Sequence, residues 1–72
     1  MCGITALFGK QTNIFSDLFE ALYHLQHRGQ DSFGFSYIDD NIIKVFKQKG
    51  LLSNYQSKTE INTNIGIGHV RY

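Results

Sequence analysis

Phe33-Gly34-Phe35-Ser36-Tyr37-Ile38-Asp39-Asp40-Asn41-Ile42-Ile43-Lys44-Val45-Phe46 is the stretch on which the fold turns. Phe33, Phe35 and Tyr37 alternate with Gly34, Ser36 and Ile38, the two-residue period of a strand. Asp39, Asp40 and Asn41 supply turn chemistry, and Ile42 to Phe46 makes a second strand. Together they predict an antiparallel hairpin.

Before the hairpin the period changes. Leu18, Phe19, Leu22 and Leu25 fall at helical spacing. Ser16 or Asp17 can cap that helix, with Glu20 placed three residues beyond Asp17 as in a capping box. His27 and Arg28 occupy its last turn and Gly29 follows, which is ordinary C-terminal chemistry. Upstream, Cys2 to Phe8 is almost continuously apolar and closes at Gly9, so it predicts a strand covered on both faces. After the hairpin, Gly50 to Lys58 reads as a loop without an assigned shape. Ile65 to Val70 predicts a last strand, in which Gly66 and Gly68 leave room for close backbone approach. The expected class is therefore α+β, with antiparallel strands and one main helix. The chain stops at Tyr72 with no turn or cap after it, so the expectation is a piece of a longer polypeptide.

With 72 residues, 42% of them hydrophobic and 18% charged, the composition is that of a globular protein. A core of this size is marginal without a staple. The single cysteine has no internal partner, and His24, His27 and His69 make no zinc spacing with it. A lone cysteine fits a reducing compartment, and the expected location is cytoplasmic. A net charge of +1 argues against a nucleic-acid binder. Lys44, Lys47 and Lys49 read as a solvated strand edge. No apolar run approaches the ~20 residues that cross a membrane, and no metal site is expected.

Three segments carry chemistry. If Met1 is removed, Cys2 presents a thiol and a free α-amine, whose ordinary pKa values lie close together at about 8.5 and 7.7–8.0. One residue then supplies nucleophile and general base. Gly3 removes side-chain bulk beside it. A small buried hydrophobe at a strand start is the competing reading. In Leu25-Gln26-His27-Arg28-Gly29-Gln30-Asp31-Ser32, Arg28 and Gly29 form either a plain helix end or a fixed turn supporting a site. In Gly66-Ile67-Gly68-His69-Val70-Arg71-Tyr72, Arg71 either reaches solvent or clamps a carboxylate through two parallel hydrogen bonds. His69 invites a Cys–His dyad, which an α-amine base makes unnecessary.

Taken together, Met1-Cys2-Gly3-Ile4 and these two segments resemble, in order and spacing, the class II glutamine amidotransferases. Gln26-His27-Arg28-Gly29-Gln30-Asp31, Gly50-Leu51-Leu52-Ser53 and Tyr72 look most like the amidophosphoribosyltransferase branch, which opens de novo purine synthesis. The hexosamine-forming branch typically has Glu-Tyr-Arg-Gly-Tyr-Asp and a tryptophan at the corresponding places. The resemblance implies that residues 1–72 are the N-terminal, incomplete part of an N-terminal-nucleophile hydrolase, an αββα sandwich. It implies Cys2 as nucleophile on the glutamine side-chain amide, Arg71 on the glutamine carboxylate, and Gly3, Arg28 and Gly29 in support. Partners implied are glutamine and the rest of the enzyme or a complementing chain, in a homo-oligomer, with no nucleic acid and no membrane. Magnesium is implied only for the phosphoribosyltransferase domain, which these residues do not contain.

Two departures stand out. Phe33 occupies a position where the family usually places a small residue, and overpacking there would strain the fold. The 72 residues also contain no Asn-Gly pair, the family's source of oxyanion donors. Without them the expectation is an inactive isolated piece; a non-catalytic binding or decoy module and another class II fragment are the alternatives.

Overall fold

The computed structural model describes residues 2–28, 30–56 and 60–72. The predicted hairpin is formed by β2, Ser32–Asp39, and β3, Ile42–Lys49. Asp39 pairs with Ile42 across a two-residue turn. Both turn residues are left-handed, Asp40 at φ 53° and Asn41 at φ 64°. That pair of signs matches the right-handed twist of the flanking strands, and Asp and Asn tolerate it best after glycine. β3 runs three residues further than the sequence period indicates.

Ahead of the hairpin lie β1, Gly3–Phe8, and α1, Phe15–Leu25, followed by a 3-10 turn over Gln26–Arg28. After it come a second 3-10 turn, Leu52–Asn54, and β4, Ile65–Arg71. The four strands form one antiparallel sheet in the order β1-β4-β2-β3. The α+β class holds, with the last strand in sequence set between the first and the second.

α1 lies across one face of this sheet. Leu18 and Leu22 are fully buried and meet Phe33, Phe35, Val70 and Leu52 in the core. The two glycines of β4 make that packing possible. A Cβ at Gly66 would come within 2.8 Å of Leu18, and one at Gly68 within 2.6 Å of Leu22. The helix therefore rests almost on the β4 backbone. Beyond the leucines, rings cluster: Phe35 stacks on Phe46 at 5.1 Å and meets Phe15 edge-on at 5.2 Å. Phe33 joins the cluster without crowding, its ring 6.1 Å from Phe46 and 6.3 Å from Tyr55.

Several expectations need correction. Neither Ser16 nor Asp17 caps the helix. It starts at Phe15 with Ile14 as N-cap and no side-chain cap bond, while Asn13 Oδ1 accepts the Phe15 N–H at 3.1 Å. The helix begins earlier because Ile14 is tied to Thr63, its N–H donating to the Thr63 carbonyl at 2.8 Å. Nor is β1 covered on both faces. Ile4 is 76% exposed and Phe8 69%, because β1 is an edge strand with α1 on one side only. The segment after Gly50 holds a core residue, Leu52, whose N–H donates to Gln26 Oε1 at 2.6 Å. Residues 57 and 58 of the expected loop, and the Gly29 cap, lie outside the described residues.

The sheet face opposite α1 carries an apolar patch, which covers the end away from Arg71 and reaches back along the β1 edge to Ile4, paired with His69. Ile4 and Phe8 of β1, Ile65 and Ile67 of β4, and Ile43 and Val45 of β3 are exposed there. A sheet face of this kind is ordinarily buried against a further layer, which is consistent with an incomplete αββα sandwich.

Candidate active site at the paired ends of β1 and β4

The register of β1 against β4 decides what can meet Cys2. Gly3 pairs with Val70 and Ile4 with His69; continued by one residue, the same register sets Cys2 opposite Arg71. Residues at opposite ends of the sequence thus share one corner of the sheet. Cys2 is exposed and its thiol is free. Gly3 is buried at the end of α1: a Cβ there would lie 3.3 Å from Val70 Cγ2 and 3.4 Å from Leu25 Cβ. Its lack of a side chain seats β1 under the helix end, which fixes where the residue before it stands.

Leu25 ends α1, so its contact with Gly3 brings the Gln26–Arg28 turn to the same corner, against β4. Arg28 is exposed at the end of that turn. Gly29 lies outside the described residues. Asp31 then closes the corner through its backbone: its N–H donates to the Arg71 carbonyl at 2.9 Å, and its carbonyl accepts the Gly50 N–H at 2.7 Å.

Arg71 lines two adjoining depressions. One, of about 450 Å³, is formed with Asp31, Ser32, Lys49 and Tyr72. The other, of about 360 Å³, adds Lys47 and His69. The surroundings are cationic, and among the described residues neither Arg71, Lys47 nor Lys49 takes part in an ion pair. Such a corner favours an anionic group, and a guanidinium suits a carboxylate. The sequence gives neither Ser32 nor Lys49 a role at this corner, and Lys49 reads there as part of a solvated strand edge. Their signal is non-local: only the strand register sets them beside Arg71.

His69 is directed away from Cys2. Its Nε2 lies 2.5 Å from where a Cβ on Gly34 would be, so the ring lies over β2 while β1 flanks β4 on the other side. The lack of a side chain at Gly34 makes room for it. This arrangement argues against the Cys–His dyad. Among the described residues no group of three His, Cys, Asp or Glu could hold a metal. No described helix is long and apolar enough to cross a membrane.

No protein-family profile matches the chain. Individual curated proteins do. The amidophosphoribosyltransferase of Methanothermobacter thermautotrophicus is 42% identical over 76 residues, covering 99% of this chain and 16% of that protein. A glutamine–fructose-6-phosphate aminotransferase of Clostridium acetobutylicum is 45% identical over 75 residues, covering all of this chain and 12% of that protein. The amidophosphoribosyltransferase of Escherichia coli is 40% identical over 76 residues, covering all of this chain and 15% of that protein. The chain thus spans between 12% and 16% of the length of these relatives.

Proposed function

Because these 72 residues belong to the class II glutamine amidotransferases, we propose that they form the nucleophile-bearing part of a glutaminase site. Cys2 attacks the side-chain amide of glutamine and Arg71 holds its carboxylate. The observation that supports this reading most is the β1–β4 register, which pairs Gly3 with Val70 and, continued by one residue, would bring Cys2 opposite Arg71. Once Met1 is removed, the α-amine of Cys2 takes the thiol proton and Sγ bonds to the amide carbon. The C–N bond then breaks, the departing nitrogen takes that proton, and ammonia leaves behind a glutamyl thioester. Water adds to the thioester carbonyl, glutamate departs and the thiol is restored.

For the acceptor of the ammonia, we assign the enzyme to the amidophosphoribosyltransferase branch, making phosphoribosylamine for purine synthesis in the cytoplasm. The stretch Gln26 to Asp31 and Tyr72 support that branch. The competing reading is amination of fructose 6-phosphate, favoured by the 45% identity to the Clostridium acetobutylicum aminotransferase. Oxyanion donors come from outside these residues, so the isolated piece is inactive; losing one such donor alone typically costs about 10²–10³ in rate. Magnesium, implied for phosphoribosyl pyrophosphate chemistry, has no ligand set among the described residues.

The test uses the full-length enzyme. Glutamate release should vanish in Cys2→Ala, and mass spectrometry should show an N-terminus beginning at Cys2. Retention of activity in Cys2→Ala would overturn the reading. Glutamine-dependent product formed with phosphoribosyl pyrophosphate rather than fructose 6-phosphate separates the two branches.

A further inference from the structure

Lys49, Ser32 and Arg71 form one row across three neighbouring strands. Lys49 pairs with Ser32 on β3 and β2, and Ser32 pairs with Arg71 on β4. Neighbouring strands run about 4.8 Å apart, so the two cationic residues stand about 10 Å apart at the backbone, within reach of each other's long side chains. Only a serine lies between them. The same three residues line both depressions at this corner.

The row is held firmly. Gly50 turns the chain at φ +97° directly after Lys49, and its N–H is bonded to the Asp31 carbonyl, whose own N–H holds Arg71. Among the described residues neither Lys49 nor Arg71 is held in an ion pair. The described ion pair of a lysine is Lys44 with Asp39, at the other end of β3. Asp31 lines the larger depression but makes no described ion pair. Two like charges facing one opening repel each other, and an anion seated between them relieves that repulsion. Lys47 stands in the next row, opposite Gly34, and lines only the smaller depression.

We propose that Lys49 is a second cation for the carboxylate of the amino-acid substrate, positioned beside Arg71 across Ser32. The proposal rests on the glutaminase reading above. Lys49 stands on β3, the sheet edge opposite the one beside Cys2, so it acts on binding alone.

Steady-state glutamine hydrolysis by the full-length enzyme tests this, with Lys49→Met, Lys49→Arg and Lys44→Met compared against wild type. Lys49→Met should raise KM for glutamine about tenfold, the size of one lost charge-assisted hydrogen bond, with kcat within twofold. Lys49→Arg should restore most of the loss and Lys44→Met, on the same strand but paired with Asp39 away from this corner, should change neither constant. With the α-carboxamide of glutamine, which lacks the carboxylate charge, Lys49→Met should match wild type. An unchanged KM in Lys49→Met, or an equal rise with the carboxamide, would overturn the proposal while a dead Cys2→Ala kept the glutaminase reading. An active Cys2→Ala would remove both.

Discussion

Gly68 lies directly beneath Leu22, so close that a Cβ on Gly68 would come within 2.6–2.7 Å of three Leu22 side-chain atoms. This contact sets the distance between α1 and the sheet, and through it the position of Leu25 over Gly3. It is also unforgiving, because Leu22 is fully buried and cannot swing aside. Gly68→Ala should destabilise the fold by about 1–3 kcal/mol through overpacking, measured as a lower urea midpoint. A midpoint equal to wild type would mean that the helix can lift without cost.

Phe33 should prove necessary here rather than strained. Its ring is buried and packs on Phe46 and Tyr55. Phe33→Ala should cost about 3–5 kcal/mol, the usual range for emptying a buried aromatic site. A gain in stability would instead show that the ring overfills its place.

At the sheet end away from Cys2, Thr63 ties three segments together. Its hydroxyl carries one proton and lies 2.7 Å from the Ile38 carbonyl and 3.0 Å from that of Ile65, so we assign the donation to Ile38. Thr63→Val keeps the shape and leaves that part-buried carbonyl without its donor. The expected loss is about 1–3 kcal/mol, read by thermal or urea unfolding, with β-sheet content unchanged by circular dichroism.

Asn13 does what Ser16 and Asp17 do not. Its Oδ1 accepts both the Phe15 N–H at 3.1 Å and the Thr63 N–H at 3.0 Å. Asn13→Ala should cost about 1 kcal/mol, as the loss of a helix-start acceptor usually does, whereas Ser16→Ala should be nearly neutral. Reversed effects in a urea series would return the cap to Ser16.

Lys44 and Asp39 form an exposed pair at 2.9 Å. The hydrogen bond to Asp39, then the charge of Asp39, raises the Lys44 pKa above its ordinary 10.5. A lysine whose folded value is raised contributes its stabilisation fully below the unfolded value and loses it as pH rises through the folded one. The small stability gap between wild type and Asp39→Asn should therefore exist at neutral pH and close in strong alkali. It should also shrink in high salt, since the pair is solvent-screened. A gap that persists in alkali would locate the effect of Asp39 elsewhere.

Much of the local structure was legible in the sequence, for a physical reason. The period of Phe33, Phe35 and Tyr37, the Asp40-Asn41 turn and the spacing of Leu18, Leu22 and Leu25 each depend on neighbours a few residues away. The likeness of the Cys2, Arg28 and Arg71 segments to one family could also be read there, and the curated relatives agree with it. The helix cap was not legible, because Asn13 owes its place to Thr63, fifty residues on.

By itself, then, the sequence determined which segments are strand or helix, and which family their motifs come from. Only the tertiary structure decided that β4 lies between β1 and β2, pairing Gly3 with Val70 next to Cys2 and Arg71, and setting Arg71 in one row with Ser32 and Lys49. It also turned His69 away from Cys2, toward the space left at Gly34. Strand order is set by which faces bury together and how closely backbones approach. Those are relations between distant segments, and no window of sequence contains them.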